Sequence, residues 1–300
     1  MSSETGNGRN GSIVPAALIL GVSSLVSRAV GLVRERVFTT TFGAGDTFDA
    51  FVAAFRIPDL VFNLVVIGAL SAAFIPLFTE KIVEGKAGVR KAFDFATSVL
   101  NVMLVAVSVL MLIYAIFADQ IVPLITPGFT GEKLRMTVVL SRVMALQPIF
   151  LTVSFVFSGV LNSFKRFVAY ALAPIVYNVG IIIGAVVLVP VFGIAGLGWG
   201  VVLGGALHML IQLPSALAIG FRWQSGLSWS SVDVKKLWRM VLPRIFGLAA
   251  QQINLLVVTI IGSTLLAGSI TAFHLANNIQ SLPIGVFGIA FAQAAFPTLA

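Results

Sequence analysis

The sequence predicts an all-α, polytopic membrane protein of about eight transmembrane helices, built as one six-helix lobe plus the first two helices of a second lobe. Three observations carry this. Hydrophobic residues make up 58% of the chain and charged residues only 10%, whereas soluble domains run near a quarter charged. The mean hydropathy is +1.05. Apolar runs long enough to cross a hydrocarbon core of roughly 30 Å recur along the whole length, without the polar/apolar alternation of β-barrel strands.

Taken in order, the expected helices are Ile13–Thr39, Thr47–Phe78, Phe93–Phe117, Met136–Asn162, Val168–Val189, Ile194–Ile219, Leu237–Leu266 and Ser269–Leu299. Pro and Gly punctuate the gaps, as in Thr126-Pro127-Gly128, in Val189-Pro190 with Gly193, and in Ala267-Gly268. Residues 1–12 are polar and Gly-rich and read as a disordered cytoplasmic tail. Residues 13–219 form the six-helix lobe, 220–236 a cytoplasmic or interfacial connection, and 237–300 the start of a second lobe, expected to be truncated. No small-residue cleavage site follows the first apolar run, so that run reads as a retained helix.

Loop charge sets the orientation. Lys81, Lys86, Arg90 and Lys91 follow the second helix, Lys165 and Arg166 the fourth, and Arg222, Lys235, Lys236, Arg239 and Arg244 the sixth. The intervening loops are nearly free of basic residues apart from Lys133 and Arg135. By the positive-inside rule the basic loops and the N-terminus are cytoplasmic. Trp223, Trp229 and Trp238 among those charges suit either an amphipathic interfacial segment or plain aromatic-belt anchoring.

The net charge of +8 is therefore a topology signal, and nucleic acid is not an expected partner. The absence of cysteine excludes disulfides, thiol catalysis and Cys-based metal sites. No phosphate-binding loop, nucleophile elbow, zinc-protease motif or dinucleotide fingerprint is present. The chain is expected to be no enzyme, with no catalytic residue, cofactor or metal.

Parts of the second and eighth helices resemble each other. GAG…RIPD…SAAFIPL in one answers AGS…SLPIG…AQAAFPTL in the other, at an offset of roughly 220 residues. Six helices lie between, so both copies cross in the same direction, as in parallel transporter repeats.

Charged residues inside apolar spans are costly and usually face a cavity or one another. In the second helix Asp49, Arg56 and Asn63 recur every seven residues, with Asp59 one turn beyond Arg56, so a regular helix puts all four on one broad face. Pro58 should kink this helix. The face either lines a cavity that meets a charged substrate or carries an ion-pair network that fixes packing. In the first helix Arg36 lies near the end and can snorkel, whereas Arg28 lies well inside. Guanidiniums such as Arg28 and Arg34, converging on a cavity, suit a phosphate, whose oxygens accept paired hydrogen bonds. Polar stripes continue in the seventh helix with Gln251 and in the eighth with His274, Asn277, Asn278 and Ser281; cavity lining and inter-helix hydrogen bonding both explain them.

The run Ser27, Arg28, Gly31, Arg34, followed by Phe42–Gly45 (FGAG), Asp49–Asp59 (DAFVAAFRIPD) and Ala73–Pro76 (AFIP), resembles the MurJ/MviN family of lipid II flippases. Thr126–Phe129 (TPGF), Leu161–Phe167 and Ala173–Asn178 match further family patterns, and the likeness runs along all 300 residues. It implies two six-helix lobes of the multidrug/oligosaccharidyl-lipid/polysaccharide exporter superfamily, in the bacterial cytoplasmic membrane. It also implies alternating access for a lipid-linked saccharide, with membrane lipids and cell-wall synthesis proteins as partners. Arg28 and Arg34 match arginines of the family's central cavity, Arg34 at the diphosphate, and Ser27, Asp49 and Arg56 fall on matching polar positions. Phe62 and Asn63 stand where typical members have an arginine, Ile67 where they have an acid, and Asn277-Asn278 where they often have Asp-Arg. The arginine set is thus reduced to Arg28, Arg34 and Arg56. Export of another polyprenyl-diphosphate saccharide, drug/cation antiport, and a non-transporting membrane scaffold are the competing readings.

Overall fold

The computed structural model describes residues 13–68, 74–83, 85–223 and 232–283. The expected N-terminal tail, part of the AFIP motif, Trp229 and the AQAAFPTL copy of the repeat lie outside the described residues.

The first helix, α1 (Ile13–Phe42), is unbroken. The second expected helix is divided into α2 (Asp46–Ala54), α3 (Arg56–Val61), a π-helical stretch over Phe62–Ile67, and α4 (Ile75–Ile82). Its break at Phe55 follows from Pro58, which has no N–H for the carbonyl of Ala54. The wider π-turns then shift the phase of every later side chain. Next come α5 (Lys86–Ile116) and the short α6 (Ala118–Ile125), which ends at the Thr126-Pro127-Gly128 turn. The fourth expected helix is α7 (Gly131–Met144) plus α8 (Gln147–Ser163), jointed just before Pro148. The fifth is α9 (Phe167–Ile183), a π-helical stretch Gly184–Leu188 and α10 (Val189–Phe192), and the sixth is α11 (Ala195–Leu210) plus α12 (Leu213–Ala218). α13 (Val232–Ser263) begins inside the expected connection, and α14 (Ser269–Pro283) follows a tight turn.

Among the described residues six stretches are long and apolar enough to cross a membrane: Asp46–Ile67, Ala87–Ile116, Gly131–Ser163, Phe167–Phe192, Ala195–Ala218 and Arg239–Ser263. α1 covers the first expected span from end to end, and α14 covers the eighth as far as Pro283.

Two apolar cores organise the lobe. One gathers Phe62, Phe74, Phe78, Phe95 and Phe157 around α5 and α8. The other gathers Phe38, Phe48, Phe51, Leu140, Ile181, Leu197 and Ile270, and seats α2 among α1, α7 and α14. α9 and α11 approach closely because glycines face each other. A Cβ on Gly180 would stand 2.5 Å from the Cα of Gly204, and one on Gly184 or Gly200 would meet the other's backbone. In lipid, where helices gain nothing from leaving water, such close packing is a main source of association. A buried polar chain ties α8 to α11 and α12: Ser158 donates to the Gln212 side chain at 2.8 Å, Gln212 to Ser154 at 2.6 Å, and Ser154 lies 2.6 Å from His208 Nδ1.

At one end of the bundle the lobe clasps α13 and α14. Asp49 on α2, 1% exposed, accepts from the backbone N–H of Gly268 at 2.7 Å and of Thr271 at 2.8 Å. It also accepts from the Thr271 hydroxyl at 2.7 Å and from Lys133 Nζ at 2.8 Å. A carboxylate on the first N–H groups of a helix satisfies donors that have no partner within it and complements the helix dipole. Lys133 also reaches Asp46 at 2.8 Å and lies 4.2 Å over the Phe129 ring. Beside it the Gly128 N–H donates to Ser263 Oγ at 3.2 Å. Gly268 has φ +89, and a Cβ there would strike the carbonyl of Ala44, so both the turn and the close approach require glycine.

Candidate functional site

Below this clasp, a cavity of about 180 Å³ opens between α1, α2, α3, α9 and α14. Its apolar wall is Phe38, Phe48, Phe51, Val52 and Phe55; its polar wall is Arg34, Glu35, Arg56, Asp59, Tyr177 and His274. The aromatic wall exists because Phe38 packs on Phe48 and Phe51, with ring centroids 5.4 and 4.6 Å apart, and Phe51 meets Phe55 edge-on at 5.0 Å. Low-dielectric aromatic walls strengthen the action of neighbouring charges on a ligand relative to an open surface.

Arg34 is held from two sides. Its Nη1 donates to Asn178 Oδ1 at 2.9 Å and its Nη2 to Glu35 Oε1 at 2.5 Å. Asn178 is itself fixed by donating to the Pro174 carbonyl at 2.9 Å. Glu35 gathers α14 as well: Asn278 Nδ2 donates to it at 3.2 Å, and His274 Nε2 lies 3.4 Å away and 3.0 Å from Asn278. Arg56 lines the cavity and donates through Nε to Thr259 Oγ1 of α13 at 2.7 Å, and among the described residues its two terminal nitrogens make no hydrogen bond. Asp59 shares that cavity with Arg56 and Arg34. Tyr177, also in the cavity wall, accepts from Gln147 at 2.8 Å.

The structure brings Arg34, Arg56 and Asp59 together and separates the other expected residues from them. Asp49 belongs to the clasp. Asn63 donates to the Asp59 carbonyl of its own helix at 2.7 Å. The expected single face assumed uniform helical turns, and the Phe55 break together with the π-turns dissolves it. Arg28 lies farther along α1, where it reaches the Ser281 carbonyl at 3.3 Å. Ser27 beside it, half-buried, does not line the cavity. Gln251 and Asn277 are exposed, and Asn278 acts through Glu35. Sequence reasoning passed over Glu35, Tyr177, Asn178, Thr259 and Lys133 as site residues. Glu35, an acid set between two arginines in an apolar run, was the one with a visible signal. Of the two readings open for the polar stripe of the eighth helix, His274 meets both: it lines the cavity and lies beside Glu35 in the inter-helix link.

A family model described as Lipid II flippase MurJ matches residues 38–300. A probable lipid II flippase MurJ of Buchnera aphidicola subsp. Acyrthosiphon pisum is 30% identical over 285 residues, covering 94% of this chain and 55% of that protein. The lipid II flippase MurJ of Burkholderia cenocepacia is 31% identical over 296 residues, covering 95% of this chain and 56% of its own. The chain thus spans about half the length of the curated relatives it matches. Among solved structures, a lipid II flippase MurJ in an inward closed conformation superposes with a TM-score of 0.75 at 24% identity, over 90% of this chain and 56% of that one. An inward-facing multidrug transporter of the MATE family superposes at 0.64 with 16% identity, over 90% and 63%. Both likenesses are of fold.

Proposed function

The chain belongs to the lipid II flippase MurJ family, and on that premise we propose that it moves a polyprenyl-diphosphate-linked peptidoglycan precursor across the bacterial cytoplasmic membrane. The observation that carries this is Arg34. Its guanidinium sits in the cavity wall, fixed by Asn178 and Glu35, so that it meets an anion without first having to be ordered. Arg56, with two terminal nitrogens unspent, supplies a second donor pair of the geometry a diphosphate accepts. The aromatic wall gives the headgroup an apolar face to lie against while the polyprenyl tail stays in the bilayer.

The clasp supports alternating access. Asp49, Lys133, Gly128, Ser263 and Gly268 close one end of the bundle with interactions that must break together if α13 and α14 rock away. By the charge of the loops, that end faces away from the cytoplasm and the N-terminus faces inward. Rocking about the cavity would then hand the headgroup from one side to the other. Membrane lipids surround the protein, and the enzymes that make and use the precursor are the partners this activity requires. The intact protein with Arg34→Ala, expressed in cells depleted of their own flippase, tests the reading: normal membrane levels with loss of growth is expected. Full complementation by that variant overturns it.

A further inference from the structure

The cavity is built for more than an anion. Arg34 is bonded directly to one carboxylate, Glu35. Arg56 is paid out only through Nε to Thr259. Asp59 adds a second carboxylate to the same cavity, and among the described residues no hydrogen-bond donor or cation lies in bonding range of it. A carboxylate that merely positioned Arg56 would touch it, as Glu35 touches Arg34. One standing free in a cavity meant for phosphate opposes the ligand. Pro58, just before it, also leaves the Ala54 carbonyl without its helical donor, and freed carbonyls near a midspan break are common ligands for small cations in transporters.

We propose that Asp59 is a cation receptor, forming with Arg56 a two-sign subsite that takes a single positive charge alongside the anionic headgroup. Among the described residues no three His, Asp or Glu side chains cluster as a divalent-metal site would require. A lone carboxylate suits one positive charge, either a free monovalent ion such as sodium or an ammonium group of the headgroup. The proposal rests on the reading of the cavity as a diphosphate site.

The test uses the intact purified protein. Its thermal stability and tryptophan fluorescence are titrated with sodium chloride against choline chloride at constant ionic strength. Binding of undecaprenyl diphosphate, and of precursor with a free or an N-acetylated side-chain amine, is followed by native mass spectrometry. A saturable sodium response that weakens at least tenfold in Asp59→Asn and persists in Arg34→Ala supports a free ion. No sodium response, but a loss in Asp59→Asn confined to the free-amine precursor, supports the headgroup ammonium. In either case Asp59→Asn should bind undecaprenyl diphosphate more tightly, by roughly tenfold for a like charge removed from ~10 Å at an effective dielectric of ~20. Retention of the sodium response in Asp59→Asn, absence of both cation effects, or weakened diphosphate binding in that variant overturns the proposal. A sodium response lost with Asp59, in a protein that binds no diphosphate, would instead sink the flippase reading and leave the cation site standing.

Discussion

Replacing Asp49 with Ala should open the clasp. The carboxylate is 1% exposed and accepts three hydrogen bonds from Gly268 and Thr271 besides its ion pair with Lys133. Removing one partner of a buried pair costs about 3–5 kcal/mol, because the other charge is left buried. Lys133 keeps Asp46 at 2.8 Å and the Phe129 ring, which places the loss near the lower figure, about 3 kcal/mol. At 1.4 kcal/mol per tenfold, that is a shift of roughly 100-fold between clasped and open forms. Spin labels on α7 and α14, read by double electron–electron resonance, should show the single short distance of the wild type replaced by a longer population in Asp49→Ala. Adding Lys133→Met to that variant removes the cation that has lost its buried partner, together with its exposed pair to Asp46, and should leave the short distance unrestored. An unchanged distance distribution in Asp49→Ala would refute the claim that this carboxylate holds the end shut.

Gly268→Ala should loosen the same end, since φ +89 and the Ala44 carbonyl both reject a Cβ; the same resonance measurement should show a longer population, while the wild-type distribution would count against it. Gly200→Val drives a side chain into the backbone of Gly184, and overpacking costs about 1–3 kcal/mol or more. It should lower the unfolding temperature in detergent by several degrees, whereas Gly247→Ala, with nothing near its Cβ, should not. Gln212→Leu removes the hydrogen bonds Gln212 makes with buried Ser154 and Ser158, which keep the His208 ring and the His208 and Ser154 carbonyls, and should cost about 1 kcal/mol, seen as a small loss of thermal stability with substrate binding intact.

Much of this was legible in the residues. Hydropathy located the helices because lipid forces every backbone group to bond within its own segment, and the fall of Pro and Gly marked where they end. Arg34, Arg56 and Asp59 stood out as charges in greasy sequence, and the cavity does collect them. What periodicity could not give was phase after the break. Pro58 announced a kink, but the π-turns over Phe62–Ile67 carry no sequence mark, so Asp49 and Asn63 were placed on a face they do not share. The clasp was hidden for another reason. Asp49 and Thr271 lie 222 positions apart, and only the packing of α14 onto α2 makes one cap the other. Glu35 and His274 are likewise partners across a helix seam, visible singly in the sequence and meaningful only together.

The central claim is that Arg34 holds the diphosphate of a lipid carried across the membrane. Translocation of fluorescent lipid II by the intact protein in proteoliposomes tests it most directly. A charge-assisted hydrogen bond to a buried anion is worth about 1.5–3 kcal/mol, so Arg34→Ala should slow transport at a sub-saturating lipid II concentration by roughly 10- to 100-fold. Arg34→Lys, which keeps the charge but loses the fork, should fall between Ala and wild type. Equal transport by wild type and Arg34→Ala would contradict the claim.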